Sequence, residues 1–427
     1  MTSTSVVIWI IGGFFVGSMA IIWWTLFVDH DLTEEPEEDD KSTPSTVTDK
    51  AVKKKKKKST KGSAASKLVS RKPSAHDPSW DGPPSSLLFR EVKGHTAQVT
   101  AVAFSNDNRF VATASEDRTV RINFLATLKD PSPRYYRLGI DRDHVTALTF
   151  SDNSKRLVCA TDKGREILFY NIPSEKDVAA GAKPELLKSF PSGHAEPVTR
   201  ILLLDVDKWM VVVTSACGSP ETAIRFSNPK GECLATLDTN QITNYALEAS
   251  PDNRFVAVGA GMPEVKVLEV VRKKDGEFNQ VTRAMALSGG HARAVHGLAF
   301  NSDSTQVVTA SADGSWVSWD LTVRFKLDED PRQIERHASK DLLNSRYSAA
   351  ALGGTDKRKV VALSSGRHIF FNAVGEGTGK QLDSVGAAHG SAGAAILTMQ
   401  ASRDGKLLAT TAEGDARARL WTFPGAH

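Results

Sequence analysis

The stretch Gly289–Asp320, "GGHARAVHGLAFNSDSTQVVTASADGSWVSWD", decides the fold of this chain. It begins with Gly-Gly-His and ends with Trp-Asp, and two alternating apolar runs lie between those ends, separated by Asn-Ser-Asp-Ser. Alternation with a period of two is typical of strands, and the Asn-Ser-Asp-Ser and Ala-Asp-Gly segments are typical of tight turns. The stretch therefore predicts three consecutive antiparallel strands. If it is a repeat unit, it should recur every 40–50 residues or so.

The pattern recurs six more times along the chain. The seven copies begin near Lys93, His144, Ser192, Thr239, Gly289, Leu342 and Ala387. Asn240 and Asn344 stand at the histidine position of the fourth and sixth copies. A small sheet that is apolar on both faces cannot bury itself alone, whereas stacking such sheets around an axis buries both faces. The sequence therefore predicts an all-β fold, a seven-bladed β-propeller over residues 85–427.

Polar residues recur at matched places in these copies. The separation from His95 to Asp117 equals that from His291 to Asp313, 22 residues in each case. Hydrogen bonds among such side chains can satisfy buried polar groups. Because the set recurs copy after copy, we interpret it as structural, since a catalytic triad would occur once. The residues assigned to this network are His95, Ser115, Asp117, His144, His194, His291, Ser311, Asp313, Trp319 and Trp421.

Closure of the ring also has a sequence signal. The segment Ser86–Lys93, "SLLFREVK", precedes the first Gly-His, and the last copy ends at Phe423 after three strands. An unpaired outer edge would be left open in the last blade. We therefore expect Leu87–Val92 to pair with that blade as its fourth strand.

Residues 6–28, "VVIWIIGGFFVGSMAIIWWTLFV", predict a transmembrane helix. They contain no charge, and as a helix they would extend about 34 Å, enough to span a hydrocarbon core. A cleaved signal peptide would need a basic start, a shorter apolar core and small residues before the cut, which this segment lacks. The lysines all follow the segment, so we expect a single-pass protein with everything after Val28 in the cytosol.

Residues 29–84 predict a disordered linker, because acidic and basic blocks with few apolar residues cannot bury enough surface to fold. The linker contains a run of lysines, Lys53, Lys54, Lys55, Lys56, Lys57 and Lys58. Contact with anionic lipid headgroups is one interpretation of this run. A solvated charge block is an equal alternative, and a nuclear localisation signal conflicts with a membrane anchor.

The rest of the sequence argues against nucleic-acid binding, metal binding and catalysis. Residues 1–82 hold 12 Lys/Arg and 11 Asp/Glu, so the rest of the chain carries only +3 and is an unlikely nucleic-acid binder. The three cysteines show no metal-binding spacing, and we expect them to be buried thiols. "GEGTGK" at Gly375–Lys380 lacks the first glycine and the final Ser/Thr of a phosphate loop. We predict no catalytic residue, no metal, no cofactor and no small-molecule substrate.

The repeats resemble the WD40 family over residues 85–427. A closer resemblance, to the transducin beta-like protein 2 family, lies in Thr239–Phe325, and the insertion "DGEFNQVTRAMAL" is its most specific part. That family has the same layout of N-terminal anchor, basic linker and propeller. The resemblance implies a protein of the endoplasmic reticulum membrane with a cytosolic propeller. It also implies a non-enzymatic scaffold linked to stress signalling through a membrane kinase of the unfolded protein response.

Protein–protein interaction is the function that these features favour, since a propeller presents loops on a rigid frame. The alternative is a membrane-tethered exchange factor for a small GTPase in trafficking at the endoplasmic reticulum, although such propellers carry their anchor after the repeats. Glu116, Arg118, Trp209 and Trp316 are conspicuous near the rim. Trp209 aligns with Phe110 and is expected in the core, so none of the four is assigned to a binding site.

Overall fold

The structure is a computed structural model that describes residues 85–173, 177, 181–206, 208–217, 221–327, 329–339, 346–355, 358–375, 379–390 and 395–425. The chain divides into two units, Met1–Lys72 and Pro73–His427, and all described residues belong to the second. The predictions for residues 6–28, the linker 29–84 and its lysine run concern residues outside those described. Among the described residues, no helix is long and apolar enough to cross a membrane.

Seven four-stranded antiparallel sheets make up the second unit. We number these sheets as blades in chain order, and β1 (Leu88–Val92) belongs to the last of them. Blade 1 consists of β2 (Val99–Phe104), β3 (Phe110–Ser115), β4 (Thr119–Phe124) and β5 (Tyr135–Gly139), and blade 2 of β6 (Val145–Phe150), β7 (Arg156–Thr161), β8 (Glu166–Asn171) and β9 (Glu185–Pro191). Blade 3 consists of β10 (Val198–Val206), β11 (Trp209–Ala216), β12 (Ala223–Ser227) and β13 (Cys233–Asp238), and blade 4 of β14 (Asn244–Ala249), β15 (Phe255–Ala260), β16 (Val265–Arg272) and β17 (Phe278–Leu287). Blade 5 consists of β18 (Val295–Phe300), β19 (Gln306–Ser311), β20 (Ser315–Asp320) and β21 (Arg332–Ala338), and blade 6 of β22 (Tyr347–Thr355), β23 (Arg358–Ser365), β24 (His368–Val374) and β25 (Gln381–Val385). Blade 7 consists of β26 (Ile396–Ala401), β27 (Leu407–Ala412) and β28 (Ala418–Thr422), and β1 completes it by pairing with β28. Two short 3-10 helices, Leu125–Thr127 and Phe325–Leu327, follow β4 and β20.

Each blade buries the two faces of its sheet against the neighbouring blades. Every residue of β3 and of β15 is buried, although each strand presents side chains to both faces of its sheet. Apolar clusters join neighbouring blades, as where Ile122 of blade 1 packs in one cluster with Leu148 and Leu157 of blade 2. The innermost strands of successive blades lie side by side, and β26 lies beside β2. This arrangement confirms the seven-bladed propeller.

The turns between the first two strands of several blades share one hydrogen-bonding pattern. In blade 1 the Ser105 hydroxyl donates to Asp107 Oδ1 (2.7 Å) and accepts from the backbone N–H of Phe110 (2.9 Å). Asn108, within this turn, has φ of 54°, a conformation that asparagine tolerates. The serine and the carboxylate or amide two residues later recur at Ser151–Asn153, Ser250–Asp252 and Ser402–Asp404. We call the side of the ring that carries these turns the turn face, and the opposite side, with the Gly-His loops, the histidine face.

Closure of the ring follows the sequence prediction. Strand β1 pairs antiparallel with β28, with Leu88 opposite Trp421 and Glu91 opposite Arg419. The Arg419 side chain is buried, and its Nε donates to Glu91 Oε1 at 3.0 Å. A second charged partner, Asp415, contacts the same guanidinium. Two carboxylates therefore hold one buried cation where the first and last strands of the ring meet.

The cysteine prediction is wrong for two of the three residues. Cys159 is buried in β7, but Cys217 and Cys233 are exposed. Cys217 follows the end of β11, and Cys233 begins β13, the outer strand of its sheet. Outer strands and loops of a propeller lie at its surface, so their positions do not require burial.

Candidate functional site: the central channel

The predicted polar network is best defined in blade 1. The His95 side chain is enclosed completely, with Nδ1 3.0 Å from Asp117 Oδ2 and Nε2 2.9 Å from Thr113 Oγ1. Burial lowers the pKa of His95, so the imidazole is neutral at pH 7. Burial also opposes ionisation of Asp117, but hydrogen bonds from Thr119, the Thr96 N–H and His95 outweigh it and lower the pKa of that carboxyl. The network links a loop, a strand and a turn of one blade.

Three further blades repeat this geometry. The imidazole Nε2 contacts a threonine Oγ1 in His194–Thr214 (2.9 Å), His291–Thr309 (2.6 Å) and His389–Thr410 (2.9 Å). Trp319 and Trp421 donate from Nε1 to the same threonines, both at 2.9 Å. The acidic partner of Nδ1 is Glu221 in blade 3 and Asp415 in blade 7, whereas Ser315 takes that place in blade 5.

The threonines and the acidic residues of blades 3 and 7 were missing from the sequence prediction. Ser115 and Ser311, which were assigned in their place, do not contact the histidines: each donates to a loop carbonyl and accepts from the N–H of the aspartate, Asp117 or Asp313. The available signal was a threonine two residues before the serine position in the four copies whose histidine is enclosed, a position that is Cys159 in the copy of His144.

His144 was assigned wrongly to the network. Its loop is shorter, so His144 lies directly before β6 and is half-buried instead of enclosed. The neighbouring Asp143 closes this loop instead, because its carboxylate accepts from the backbone N–H groups of His144, Lys163 and Gly164 at 2.8–3.2 Å. Of the other histidine-position candidates, Asn240 is exposed with φ of 50°, and Asn344 lies outside the described residues.

Asp143, His144 and Asp162 are the group of potential metal ligands that the described residues bring together. Both oxygens of the most buried member, Asp143, already accept backbone N–H bonds. That donor arrangement is typical of a polar loop closure, and a cation there would compete with those N–H groups.

The central channel departs from the repeat. Its innermost strands carry a small residue at their third position in five blades, namely Ala101, Ala147, Ala246, Gly297 and Ala349. A Cβ on Gly297 would lie 2.6 Å from the Ala350 nitrogen, which shows how closely neighbouring backbones approach there. Blade 3 has Arg200 at this position. Glu248 and His296 line the channel from the innermost strands of blades 4 and 5.

These three side chains form an ionisable cluster, and their one side-chain hydrogen bond to the described residues runs from Arg200 to the Thr199 carbonyl. We call Arg200, Glu248 and His296 the channel triad. Burial raises the pKa of Glu248 to about 7, although the Arg200 charge opposes the shift. Burial and the same guanidinium lower the pKa of His296. Enclosure of charged groups in a part of the channel whose other lining side chains are uncharged is costly, and such groups concentrate at functional sites.

The channel has two lobes. The lobe of about 160 Å³ toward the histidine face is lined by the channel triad together with Thr146 and Gln400. The lobe of about 230 Å³ opens at the turn face, where Asp152 and Arg403 line it. Concave sites with a few convergent polar groups are typical of ligand and partner binding.

An apolar patch adjoins the triad on the histidine face. Ile242 is 65% exposed and Met262 is 41% exposed, both in loops of blade 4. Gly261 joins them to the triad, since its Cβ direction meets Ile242 and Tyr245, and the Tyr245 ring stacks on His296 with centroids 4.2 Å apart. The triad and this patch make one continuous candidate surface.

Comparison with known proteins agrees with this architecture. The family described as "WD domain, G-beta repeat" matches residues 87–122 and 284–320. Transducin beta-like protein 2 of Mus musculus is 31% identical over 314 residues, which is 73% of this chain and 67% of the mouse protein. The chain belongs to the transducin beta-like protein 2 family. The human member is 31% identical over 294 residues, 68% of this chain and 63% of the human protein, so the chain spans about two thirds of the length of these relatives. A more distant relative is pre-mRNA-processing factor 19 homolog 2 of Arabidopsis thaliana, 26% identical over 263 residues, or 54% of this chain and 48% of that protein.

The rim residues of this transducin beta-like protein 2 family member lie in different places. Glu116 and Arg118 are exposed on the histidine face. Trp316 is buried in blade 5. Trp209 is half-buried at the turn face, where its Nε1 donates to the Asp275 carbonyl of the next blade at 3.1 Å, so it is not a core residue as expected. None of the four adjoins the channel triad.

Proposed function

We propose that this chain is a non-enzymatic scaffold, anchored in the endoplasmic reticulum membrane, whose cytosolic propeller holds a partner protein at the histidine-face mouth of its channel. The channel triad carries the proposal, because it places two ionisable side chains beside an arginine whose guanidinium makes one hydrogen bond to the described residues. The exposed Ile242 and Met262 supply the apolar contact that protein interfaces centre on.

Residues 6–28 and the lysines that follow them support the anchor and its orientation. Membership of the transducin beta-like protein 2 family supports the endoplasmic reticulum and a membrane kinase of the unfolded protein response as partner. The lysine run Lys53–Lys58 is proposed to contact anionic lipid beside the anchor.

The binding surface is tested by placing a photo-crosslinking amino acid at Ile242 of the full chain in cells. The matched control is Leu186, which is 53% exposed on β9, away from the channel. We expect a discrete crosslinked protein from position 242 and none from position 186. Equal crosslinking at both positions, or none at either, would contradict a partner site at this mouth.

Topology is tested separately by protease protection on intact microsomes with an epitope tag at each end. We expect a protected N-terminal tag and a degraded C-terminal tag. A protected C-terminal tag would place the propeller in the lumen and would exclude cytosolic partners.

A further inference from the structure

The channel triad has the chemistry of an anion site. Arg200 Nη1 donates to the Thr199 carbonyl at 2.9 Å, and the guanidinium makes no other hydrogen bond to the described residues. Its remaining N–H groups are available for a ligand. Arginine pairs with carboxylates through two parallel hydrogen bonds, and such pairs are stronger and shorter than neutral ones.

The other charged groups around the channel leave this positive site intact. The charged or imidazole side chains that line the two lobes are Asp152, Arg200, Glu248, His296 and Arg403. Asp152 lies at the turn face and accepts hydrogen bonds from Asn106 (2.8 Å) and Asn253 (2.6 Å). Around Glu248, Arg200 approaches from β10 and His296 lies on β18. Glu248 is thus the carboxyl group beside the guanidinium in the lobe toward the histidine face, and the exposed Cys217 thiol also lies within electrostatic range of Arg200.

Glu248 can act as a donor at neutral pH. Because its pKa lies at about 7, a substantial fraction of its carboxyl groups is protonated there. A protonated carboxyl donates one O–H hydrogen bond, whereas the ionised form only accepts. An anion beside Glu248 would favour the protonated form further, since two like charges in one enclosed site cannot both persist.

We propose that the channel triad binds the carboxylate of an aspartate or glutamate side chain from an acidic segment of the partner protein, with a neighbouring apolar side chain resting on Ile242 and Met262. The lobe of 160 Å³ has about the volume of five water molecules, which is enough for one such side chain. This inference rests on the proposed scaffold function and names the chemistry of its partner.

The binding should take up a proton. Above pH 7 Glu248 is ionised and repels the incoming carboxylate, and below pH 7 it donates to it. Affinity should therefore rise by about tenfold as pH falls from 8 to 6. Glu248→Gln keeps a donor at every pH, so it should bind at pH 8 as tightly as the unmodified chain does at pH 6, with a flat profile.

The test begins with selection of peptides from a random dodecamer library on the full chain in detergent, followed by depletion on Arg200→Gln. We expect enrichment of Asp or Glu beside an apolar residue. The dissociation constant of a selected peptide should rise about tenfold for Arg200→Gln and for the peptide in which Glu is replaced by Gln. Arg293→Gln, an exposed arginine on the same face, is the matched control and should bind as the unmodified chain does.

Three outcomes would overturn the inference: selected peptides without acidic enrichment, acidic peptides that bind Arg200→Gln and Arg293→Gln equally, or Glu248→Gln with an unchanged pH profile. In each of these cases peptides still bind, so the scaffold function stands. Failure of the Ile242 crosslink contradicts the scaffold site itself, and the two failures are thereby distinguishable.

Discussion

Blades 1, 3, 5 and 7 differ from blades 2, 4 and 6 at one buried position. The odd blades have a threonine in the second strand that contacts an enclosed histidine. At the matching register the even blades have Cys159, Val258 and Leu363, all buried. Histidine and threonine are thus present together, and an apolar side chain fills the site in the even blades. The comparison indicates that histidine and threonine are kept or replaced together, since either residue alone would leave a buried polar group unsatisfied.

Blade 7 adds charge to this pattern. Its Asp415 contacts both His389 (Nδ1 to Oδ2, 2.8 Å) and the buried Arg419, which Glu91 of β1 also holds. The histidine network of this odd blade is thereby connected to the closure of the ring. The predictions below test whether these networks behave as units.

The largest effect is expected at the ring closure. Glu91→Gln removes one of two carboxylates from the buried Arg419, and breaking a buried ion pair costs about 3–5 kcal/mol. Because Asp415 remains, we expect a loss near the lower end, about 3 kcal/mol, in the free energy of unfolding measured with denaturant on the full chain. Lys93→Gln removes an exposed partner of the same Glu91 (3.4 Å) and should cost much less. Similar losses for both variants would show that the buried pair has no special role.

A second test compares two odd blades. Thr309→Val leaves both the Nε2 of His291 and the Nε1 of Trp319 without a partner, whereas Thr113→Val leaves only the Nε2 of His95, because Asn123 stands where Trp319 does. At the lower end of the usual cost, about 1 kcal/mol for each buried unsatisfied group, Thr309→Val should cost about 2 kcal/mol, roughly twice the loss for Thr113→Val. His144→Gln in even blade 2 should stay within about 0.5 kcal/mol, as a half-exposed residue outside the network. Equal losses at Thr309 and Thr113 would contradict the assignment of Thr309 as the partner shared by His291 and Trp319.

The smallest effect for a single side chain is the response of each buried histidine to acid. Burial lowers the pKa of His95, His194 and His389 in the folded state, so the unfolded chain binds more protons below its histidine pKa of about 6.5. Stability should be full above pH 6.5 and should fall as the pH is lowered from there. Each histidine contributes up to about 1.4 kcal/mol per pH unit. Denaturant unfolding between pH 7.5 and 5.5 measures the slope of the unfolding free energy against pH. His194→Gln should reduce this slope by the contribution of one proton, and a steeper slope in that variant would contradict neutral buried histidines.

The propeller and its closing strand could be predicted because their signals are local and repeated. Two alternating strands and a tight turn recur every 45–53 residues, and β1 is the missing fourth strand of the last copy. His144 was misassigned because a shorter loop shifted the histidine toward the strand, which residue identity alone does not reveal. The threonines were missed because a buried hydroxyl and an exposed one look the same in sequence.

The channel triad was missed for a different reason. Arg200, Glu248 and His296 are separated by about fifty residues each, and only the ring brings them to one lobe. For Arg200 the signal was an exception to the repeat, since a charge occupied a position that is Ala or Gly in five other copies, whereas the positions of Glu248 and His296 vary between copies. Departures from a repeat therefore identified the candidate site, whereas agreement with the repeat identified the fold.

The pairing of β1 with β28 also sets when this protein can finish folding during its synthesis. The Thr422 N–H donates to the Leu87 carbonyl, a contact 335 residues apart along the chain. At 5–20 residues per second, a ribosome needs on the order of tens of seconds to make the intervening segment. Throughout that time the face of blade 1 that blade 7 will cover remains exposed, so the nascent chain presents apolar surface to which chaperones can bind. The last blade to be translated is therefore the one that closes the ring.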